Sequence, residues 1–501
     1  QVINDVISDL MNKGGLTKEF ATNLIYHGGL RIETCFDPDV QAYVDTVYND
    51  RSVLEIDSAT GQEIQSAITV IDNSTGNVVA MAGGIGEKEG SRIFNRATDT
   101  LRPPGSSIKP LAVYAPALDM GLITPTTVFD DTPIDLNGSA WPKNSYNHFK
   151  GLTTVHKALE VSSNTIAVKV LRDCVTPMAS FQFMSDRFGI DLVASKEVNG
   201  TVKTDIDLAP LALGGLTEGV STYEMAAAYA TFANNGMYKT PRTYLRVTAV
   251  DTDGKETVLL ENTGTSEAVL SESTVYYMNT MLQNVIQNGT GKTANFSGMT
   301  IAGKTGTTTS NNDKWFVGYS PYYTAAVWVG YDQQERIPSN SYLGAQLWKQ
   351  VMEPLHAGLE NRSFKTPDNL VQQDYCLDSG MIATEWCALD ARGTRVATGT
   401  YVSGDQPTQY CTFHVPMEFC KDSPVLDENG NPVAGLYHLA SEFCPEESII
   451  TIGVLDYQRV RATESVVAQD DACLKSSMEN NGPCEVHTQA IQEPVEFDPN
   501  D

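Results

Sequence analysis

The sequence predicts an α+β protein, because strand-like segments precede and follow a long helical stretch. Apolar strand-like segments lie at residues 67–71, 77–81, 300–303, 315–319 and 325–329. The first two flank Asn73-Ser74-Thr75-Gly76, whose composition favours a tight turn and therefore a β-hairpin. Between the early and the late strands, apolar residues recur mainly at helical spacing. Such segregation of strands and helices along a chain is typical of the α+β class.

Helical periodicity and capping residues predict the helices. Helices are expected over residues 2–24, after Pro103-Pro104-Gly105, over residues 154–161, from Thr165, after Ser221 and over residues 343–355. The first is expected to be a linker helix that leads into a strand. The second should hold Ser106 in its first turn. Ser221 and Glu224 have the spacing of a capping box. The last helix could cover the sheet.

Length and charge limit the class of the protein. With 501 residues, the chain exceeds the size at which a single core usually divides, so we expect two or three domains. Hydrophobic residues make up 41% of the sequence, which suffices for a large core. The formal net charge is -28, from 34 Lys and Arg against 62 Asp and Glu. This excess of carboxylates argues against nucleic acid as a partner.

The composition changes near residue 360, where cysteines become frequent. Two cysteines lie in the first 360 residues and seven between Cys376 and Cys484. We therefore expect a linker at residues 1–30, a main domain at residues 31–360 and a Cys-rich extension at residues 361–501. Gln1 is neither an initiator Met nor the start of a signal peptide, and no apolar segment could span a bilayer. We expect the natural N-terminus to be missing.

Ser106-Ser107-Ile108-Lys109 places a hydroxyl and an amine three residues apart on one helix face. A neutral Lys109 could take the proton of Ser106 and make it a nucleophile. Burial and a neighbouring cation would keep that amine neutral, so a second cation is expected nearby. A single S-x-x-K carries little weight, because about one or two matches arise by chance in a chain of this length.

Two further motifs complete a set. Ser162-Ser163-Asn164 lies between two predicted helices, and Lys304-Thr305-Gly306-Thr307 continues a predicted strand. Taken alone, the first is more often a helix cap and the second a polar strand end. In this order, however, S-x-x-K, S-x-N and K-T-G characterise penicillin-binding proteins and class A β-lactamases.

Several longer segments extend this resemblance. They are G-G-L-R-I at residues 28–32, P-G-S-S-I-K-P at 104–110, L-A-L-G-G at 211–215, A-G-K-T-G-T-T at 302–308 and W-F-V-G-Y at 315–319. With them the chain closely resembles the transpeptidase domain of class A penicillin-binding proteins, from Gram-positive bacteria, over residues 28–332. Cys35 stands where that family usually has Thr. No glycosyltransferase motif is recognisable, so we expect that domain to be absent.

The resemblance implies a fold, an activity and a set of site residues. The fold would be the penicillin-binding/β-lactamase-like transpeptidase fold, an antiparallel sheet with helices on both faces plus an all-α lobe, followed by a small β-rich extension. The activity would be that of a serine-type D-Ala-D-Ala transpeptidase that cross-links peptidoglycan stem peptides and is acylated by β-lactams. The implied catalytic residues are Ser106, Lys109, Ser162, Asn164 and Lys304; Thr305, Gly306 and Thr307 would bind substrate, with the backbone N–H groups of Ser106 and Thr307 as the oxyanion hole.

Partners and alternatives follow from the same resemblance. Peptidoglycan stem peptides and β-lactams are the expected ligands, and cell-wall synthesis proteins are candidate partners. The location would be the extracellular face of the bacterial cytoplasmic membrane, with membrane contact only through the missing N-terminal anchor. No step requires a metal or an organic cofactor, so none is predicted. A D,D-carboxypeptidase and a β-lactam-binding sensor or scaffold remain as alternatives, and a β-lactamase lacks a recognisable Glu-bearing loop.

The cysteines of the extension allow two interpretations. Cys411-x-x-His414 and Cys420, with Cys376 and Cys387 upstream, could be zinc ligands. Disulfides are preferred, because the compartment is expected to be oxidising and no C-x-x-C pair is present. Similarity to the segment that follows the transpeptidase in clostridial and other Gram-positive members makes Cys376 with Cys387 the favoured pair. Seven cysteines cannot all pair with one another.

Overall fold

The computed structural model describes residues 1–88, 90–251 and 253–489. Its α-helices are α1 (Val2–Asn12), α2 (Lys18–His27), α3 (Pro38–Tyr48), α4 (Ala115–Asp119), α5 (Val155–Glu160), α6 (Asn164–Val170), α7 (Pro177–Phe188), α8 (Leu208–Leu213), α9 (Thr222–Ala233), α10 (Glu272–Gln287), α11 (Leu343–Leu355), α12 (Glu385–Ala388) and α13 (Lys475–Glu479). Among these described helices, none has the length and apolar character that a membrane crossing requires.

Strands occur along most of the described chain. They are β1 (Leu30–Thr34), β2 (Gln65–Asp72), β3 (Val78–Ala82), β4 (Val128–Asp131), β5 (Ile134–Leu136), β6 (Ser139–Trp141), β7 (Gly151–Thr154), β8 (Lys196–Val198), β9 (Thr201–Lys203), β10 (Met237–Lys239), β11 (Tyr244–Val250), β12 (Glu256–Glu261), β13 (Ser266–Ala268), β14 (Ala302–Thr307), β15 (Asp313–Tyr319), β16 (Tyr323–Gly330), β17 (Leu370–Cys376), β18 (Val396–Val402), β19 (His414–Leu426), β20 (Pro432–Leu439) and β21 (Ile449–Leu455).

The chain forms two compact units, each built from separate segments. The first unit consists of Gln1–Leu122, Leu159–Ser162 and Ala167–Pro367. The second consists of Ile123–Ala158, Ser163–Ile166 and the described residues from Asp368 onward. The sequence placed residues 123–158 within the main domain, whereas the structure groups them with the extension. The boundary near residue 360 stays a prediction.

A five-stranded antiparallel sheet forms the centre of the first unit. Its strand order is β14-β15-β16-β2-β3. The predicted hairpin at residues 67–81 is confirmed as β2 and β3, and the three late strands are confirmed as β14, β15 and β16. Nearly every residue of β2, β15 and β16 is buried. A sheet buried on both faces needs a covering layer on each side.

Alternating residues of these strands contact helices on opposite faces of the sheet. Ile68 and Phe316 belong to the apolar core that includes residues of α3 and α11. Residues at odd separations from these lie on the opposite face of the sheet. There Thr69 forms a hydrogen bond of 2.9 Å with Thr222 of α9, and Tyr319 donates one of 2.7 Å to Asn279 of α10. The period of two along a strand produces this division. Helices therefore cover both faces, as predicted.

The N-terminal segment differs from the prediction of one linker helix. Two helices, α1 and α2, precede β1, and the chain turns between them at Gly14 and Gly15. Gly15 has a φ of +67°, and a Cβ on Gly14 would lie 2.6 Å from the carbonyl oxygen of Leu10. Both positions suit glycine and interrupt the helix. Helices α1 and α2 pack on a small sheet of β1, β11 and β12.

The predicted capping box of α9 is confirmed. Ser221 Oγ accepts a hydrogen bond from the backbone N–H of Glu224, and Glu224 Oε2 accepts one from the backbone N–H of Ser221. Two of the backbone donors that a helix leaves unpaired at its start are thereby satisfied. Helix α9 is thus fixed where it covers β2 and β16.

The second unit is rich in β-structure and holds a buried ion cluster. Strand pairs β4-β7 and β17-β18 and the sheet β20-β19-β21 make up most of it. The Arg459 side chain is 1% exposed and contacts Asp130 of β4 at 3.0 Å, Asp470 at 2.7 Å and also Asp471. Because Asp130 belongs to residues 123–158, these contacts join that segment to the extension within one unit.

None of the nine cysteines, all of which lie in the described residues, forms a disulfide. The favoured bond between Cys376 and Cys387 is therefore contradicted: both residues carry free, buried thiols. The sequence favours a disulfide because no C-x-x-C pair is present, whereas in the structure these two sulfurs lie in a group with a third sulfur and an imidazole.

Replacing Arg459 with Met should lower the free energy of unfolding by about 3–5 kcal/mol, because it removes the buried positive charge that offsets the carboxylates of Asp130 and Asp470. The matched control is Arg31→Met, which removes an ion pair with Glu256 whose side chains are 60% and 50% exposed. That change should cost less than about 1 kcal/mol. Urea unfolding of the three proteins measures both effects, and equal losses would contradict the buried cluster.

Candidate functional site

Ser106 begins an irregular helical segment in the first unit. A tight helical turn, Gly105–Ile108, is followed by a wide one, Pro110–Tyr114, and then by α4. The predicted helix is therefore present but is not a regular α-helix, because Pro110 and Pro116 cannot donate backbone hydrogen bonds. Wide helical turns of this kind are frequent at functional sites. Ser106 is half-buried, and Lys109 is fully buried three residues later.

Glycines bring strand β14 against the Ser106 turn. Gly105 has a φ of +54°, and a Cβ at this residue would lie 2.5 Å from the carbonyl oxygen of Thr307. A Cβ on Gly306 would lie 2.2 Å from the carbonyl oxygen of Pro104. No side chain fits at either position, so the two backbones are in direct contact. Ser106 and Thr307 consequently lie close together in space.

Gly214 holds the other side of this turn. It ends α8 in the left-handed conformation, with a φ of +76°, and a Cβ there would lie 2.1 Å from the carbonyl oxygen of Gly105. The backbone N–H of Gly105 donates a hydrogen bond of 3.3 Å to the Gly214 carbonyl. This contact gives a physical reason for the L-A-L-G-G segment at residues 211–215.

Two lysine amines converge on Ser162. Lys109 Nζ donates a hydrogen bond of 2.9 Å to the Ser162 carbonyl, and Lys304 Nζ donates one of 2.8 Å to Ser162 Oγ. Ser162 lies in the loop between α5 and α6 and has a φ of +59°. A non-glycine residue in this conformation is strained, and such residues cluster at functional sites. Three of the predicted site residues are thus brought together.

Burial controls the charge of Lys304. Its side chain is fully buried in β14, and this burial lowers the pKa of Lys304 from 10.5 to about 7. An ammonium group loses its hydration when it is buried, so the neutral amine is favoured. The pKa of this amine is therefore close to neutral pH. Binding of an anion beside it would favour the charged form.

Thr290 is a neighbour of the site that the sequence did not indicate. Thr305 Oγ1 donates a hydrogen bond of 2.9 Å to Thr290 Oγ1, and the Thr290 backbone N–H donates one of 3.3 Å to the carbonyl of Glu160. Gly289 allows this approach, because a Cβ there would lie 2.3 Å from the Glu160 carbonyl oxygen. The Gly-Thr-Gly sequence at 289–291 was the available signal. Thr307 is exposed at the end of β14.

Asn164 belongs to the second compact unit. Its Nδ2 donates a hydrogen bond of 2.8 Å to the Lys143 carbonyl, and its backbone N–H donates one of 2.7 Å to Asn144 Oδ1. The S-x-N motif is thus divided, with Ser162 in one compact unit and Asn164 in the other. Asn144, which orients the start of α6, was not predicted from the sequence.

Comparisons with known proteins identify the family of the chain. The family described as penicillin binding protein transpeptidase domain matches residues 66–353, and that described as penicillin-binding protein 1A, C-terminal domain, matches residues 366–416. Penicillin-binding protein 1A of Clostridium perfringens is 33% identical over 451 residues, which cover 86% of this chain and 52% of the relative. Penicillin-binding protein 1F of Bacillus subtilis is 32% identical over 359 residues, 69% of this chain and 46% of the relative. The chain thus spans about half the length of these relatives.

Solved structures share the fold. Penicillin-binding protein 1A from Haemophilus influenzae has a TM-score of 0.63 at 19% identity, over 81% of this chain and 77% of that one. The PonA1 protein from Mycobacterium tuberculosis in complex with penicillin V has a TM-score of 0.60 at 23% identity, over 73% of this chain and 95% of that one.

Replacing Gly214 with Ala should lower the free energy of unfolding by more than about 1 kcal/mol. The alanine would have a left-handed backbone conformation, and its Cβ would also clash with the Gly105 carbonyl oxygen. Gly215→Ala is the matched control, since its Cβ would meet nothing closer than 4.0 Å. That variant should be within about 1 kcal/mol of the parent. Urea unfolding compares them, and equal stability of the two variants would contradict the close contact.

Proposed function

Because the chain belongs to the penicillin-binding protein transpeptidase family, we propose that it is a peptidoglycan D,D-transpeptidase whose nucleophile is Ser106. The observation that carries the proposal is the convergence of the Lys109 and Lys304 amines on Ser162, with Ser106 three residues before Lys109. This arrangement supplies a nucleophile, a base and a path for a proton without a metal or an organic cofactor.

Acylation would proceed by attack of Ser106 Oγ on the carbonyl carbon of the penultimate D-Ala of a stem peptide. The hydroxyl proton passes to the neutral Lys109 amine as the carbon–oxygen bond forms. The bond from that carbon to the terminal D-Ala nitrogen then breaks, and Ser162 relays a proton to the departing amine. The peptide remains as an ester on Ser106. An amine of a second stem peptide attacks the ester, forms the cross-link and restores the hydroxyl.

Lys304 would keep Lys109 neutral. Two buried amines that contact the same serine disfavour two simultaneous charges. The terminal carboxylate of the donor peptide would stabilise the positive charge on Lys304, so that Lys109 is the amine that stays neutral. The lowered pKa of Lys304, about 7, fits a group whose charge depends on a bound anion.

Strand β14 would bind the reacting carbonyl and the carboxylate. The contact between Gly105 and Thr307 supports an oxyanion hole formed by the backbone N–H groups of Ser106 and Thr307. The hydroxyls of Thr305 and Thr307 would donate to the carboxylate, with Thr305 exchanging its present partner, Thr290. Gly306 would contribute to substrate binding by letting β14 pack against the Pro104 carbonyl, which positions Thr305 and Thr307. Asn164 would hold an amide of the substrate.

The proposed substrate determines where in the cell the chain would act. Stem peptides belong to the cell wall, so the chain would work at the extracellular face of the bacterial cytoplasmic membrane. Cell-wall synthesis proteins are its candidate partners. β-Lactams would acylate Ser106, because their strained amide and carboxylate resemble the end of the donor peptide.

Incubation with benzylpenicillin should add a single, lasting covalent adduct to the chain, as measured by intact-mass spectrometry. Ser106→Ala should abolish the adduct, because the attacking oxygen is removed. Ser107→Ala is the matched control: it removes the adjacent hydroxyl, which donates to the Pro104 carbonyl, and should keep the adduct.

Three outcomes separate the alternatives. Absence of the adduct from the parent chain would refute activation of Ser106. Rapid loss of the adduct with hydrolysed drug would indicate a β-lactamase. With D-Ala-D-Ala peptides, release of D-Ala without cross-linking in the presence of an acceptor amine would indicate a carboxypeptidase, and acylation without peptide turnover would indicate a sensor or scaffold.

The second-order rate constant for acylation should fall as pH rises above about 7, because this constant reports the free enzyme and Lys304 loses its proton in that range. Lys304→Arg should react more slowly but show no such fall, since an arginine stays charged. Stopped-flow measurements between about pH 6 and pH 9 compare the two proteins. A parent profile that stays level above pH 7, or an identical fall in the variant, would count against this role of Lys304.

A further inference from the structure

Three cysteines and a histidine of the second unit face one another in a buried group. The group consists of Cys376, Cys387, Cys411 and His414, and the ligand atoms all lie within 4.8 Å of one another. Each residue is at most 7% exposed. His414 Nδ1 lies 3.4 Å from the sulfur of Cys376 and 3.5 Å from that of Cys411. We call this group the first Cys3His cluster.

These distances match a tetrahedral metal site. With Zn–S bonds of about 2.3 Å and Zn–N bonds of about 2.0–2.1 Å, a ligand nitrogen lies about 3.5 Å from each ligand sulfur. Disulfide sulfurs would lie about 2.05 Å apart and would leave the third sulfur and the imidazole unexplained. Three sulfurs and one nitrogen are a ligand set that structural zinc uses.

The far side of His414 carries the outer support of a metal ligand. His414 Nε2 lies 3.0 Å from Asp390 Oδ2 and 3.4 Å from Asp378 Oδ2, and both carboxylates are fully buried. Arg392 and Arg395 donate hydrogen bonds to these carboxylates. These carboxylates hold the ring so that Nδ1 faces the sulfurs. A hydrogen bond from the outer ring nitrogen to a carboxylate is usual for a metal-bound histidine.

A second group repeats the arrangement. Cys420, Cys444, Cys484 and His487 also place their ligand atoms within 4.8 Å of one another. His487 Nδ1 lies 3.4 Å from the sulfur of Cys420 and 3.6 Å from that of Cys484, and Nε2 lies 3.9 Å from Asp422. We call this group the second Cys3His cluster.

Backbone N–H groups point at sulfurs in both clusters. The N–H of Asp378 donates to Cys376, that of Thr384 to Cys387, that of Ser441 to Cys444 and that of His487 to Cys484, at 3.3–3.4 Å. Such donors stabilise the negative charge of a thiolate, which is the form that binds a metal.

From this geometry we propose that the second unit binds two structural Zn²⁺ ions, one in each Cys3His cluster. Four protein ligands at each ion leave no open position, so the ions hold the fold and do not catalyse a reaction. The expectation of an extension without metals is thereby replaced. The seven cysteines of the extension divide into three, three and Cys473, which explains the odd number that pairing could not accommodate.

A repeated sequence signal supports both sites. Cys411-x-x-His414 and Cys484-x-x-His487 have the same spacing, and each contributes two ligands to its cluster. The remaining ligands come from distant places in the chain: the end of β17, α12, strand β19 and the residue Cys444 after β20. Each ion would therefore join segments that are far apart in sequence.

The test is the zinc content of the full chain. Protein purified without chelator and dialysed against metal-free buffer should contain two zinc ions per chain by inductively coupled plasma mass spectrometry. Cys411→Ser and Cys484→Ser should each retain one ion. Cys473→Ser is the matched control, because Cys473 is also buried but belongs to neither cluster, and it should retain two.

Two further measurements apply if a ligand variant fails to fold, as judged by circular dichroism. His414→Cys should keep two zinc ions, since four cysteines also bind structural zinc. The parent chain loaded with Co²⁺ in place of zinc should show the visible absorption of tetrahedral cobalt with thiolate ligands.

The proposal is overturned by a parent chain with fewer than two zinc ions per molecule, or by a zinc content that is unchanged in either Cys411→Ser or Cys484→Ser. It is overturned equally by a peptide with Cys376 bonded to Cys387 in the unreduced protein, or by cobalt spectra without thiolate coordination.

Discussion

The first unit is organised around the contact of two buried amines with one strained serine. Lys109 binds the carbonyl of Ser162 and Lys304 binds its hydroxyl. On a surface, water would keep the Lys304 amine charged at neutral pH. The five-stranded sheet and its two helical layers exclude that water. The large core thus provides a place in which an amine can lose its proton near neutral pH.

The site of the first unit also depends on close contact between backbone segments, which glycine allows at three positions. Gly105, Gly214 and Gly306 each lie where a Cβ would meet backbone atoms of another segment. These contacts set the distance between the Ser106 turn and the edge strand β14. The rigidity of the proposed oxyanion hole therefore comes from backbone packed on backbone and not from side chains that could change rotamer.

Local patterns in the sequence were sufficient for part of this structure. The central strands, the capping box of Ser221 and the order of the three motifs depend on residues near one another in the chain, and each could be read from spacing. The grouping of residues 123–158 with the extension could not be predicted in this way, because the ion contacts of Asp130 with Arg459 join positions 329 residues apart. Thr290 and Asn144 were missed for the same reason. The cysteine groups could not be assigned from spacing, because the members of each group come from segments that are far apart in the chain.

Strand β19 contains ligands of both Cys3His clusters, His414 at its start and Cys420 six residues later. An even separation puts the two side chains on the same side of the strand, about 20 Å apart. The residues between them alternate: Val415, Met417 and Phe419 pack in one apolar cluster, whereas Pro416 and Glu418 are exposed. This pattern favours a single register of the strand against β21. With zinc in both clusters, a slip by one residue would pull a ligand away from each ion at once. Metal binding on one face would then fix the same register that the apolar residues favour on the other.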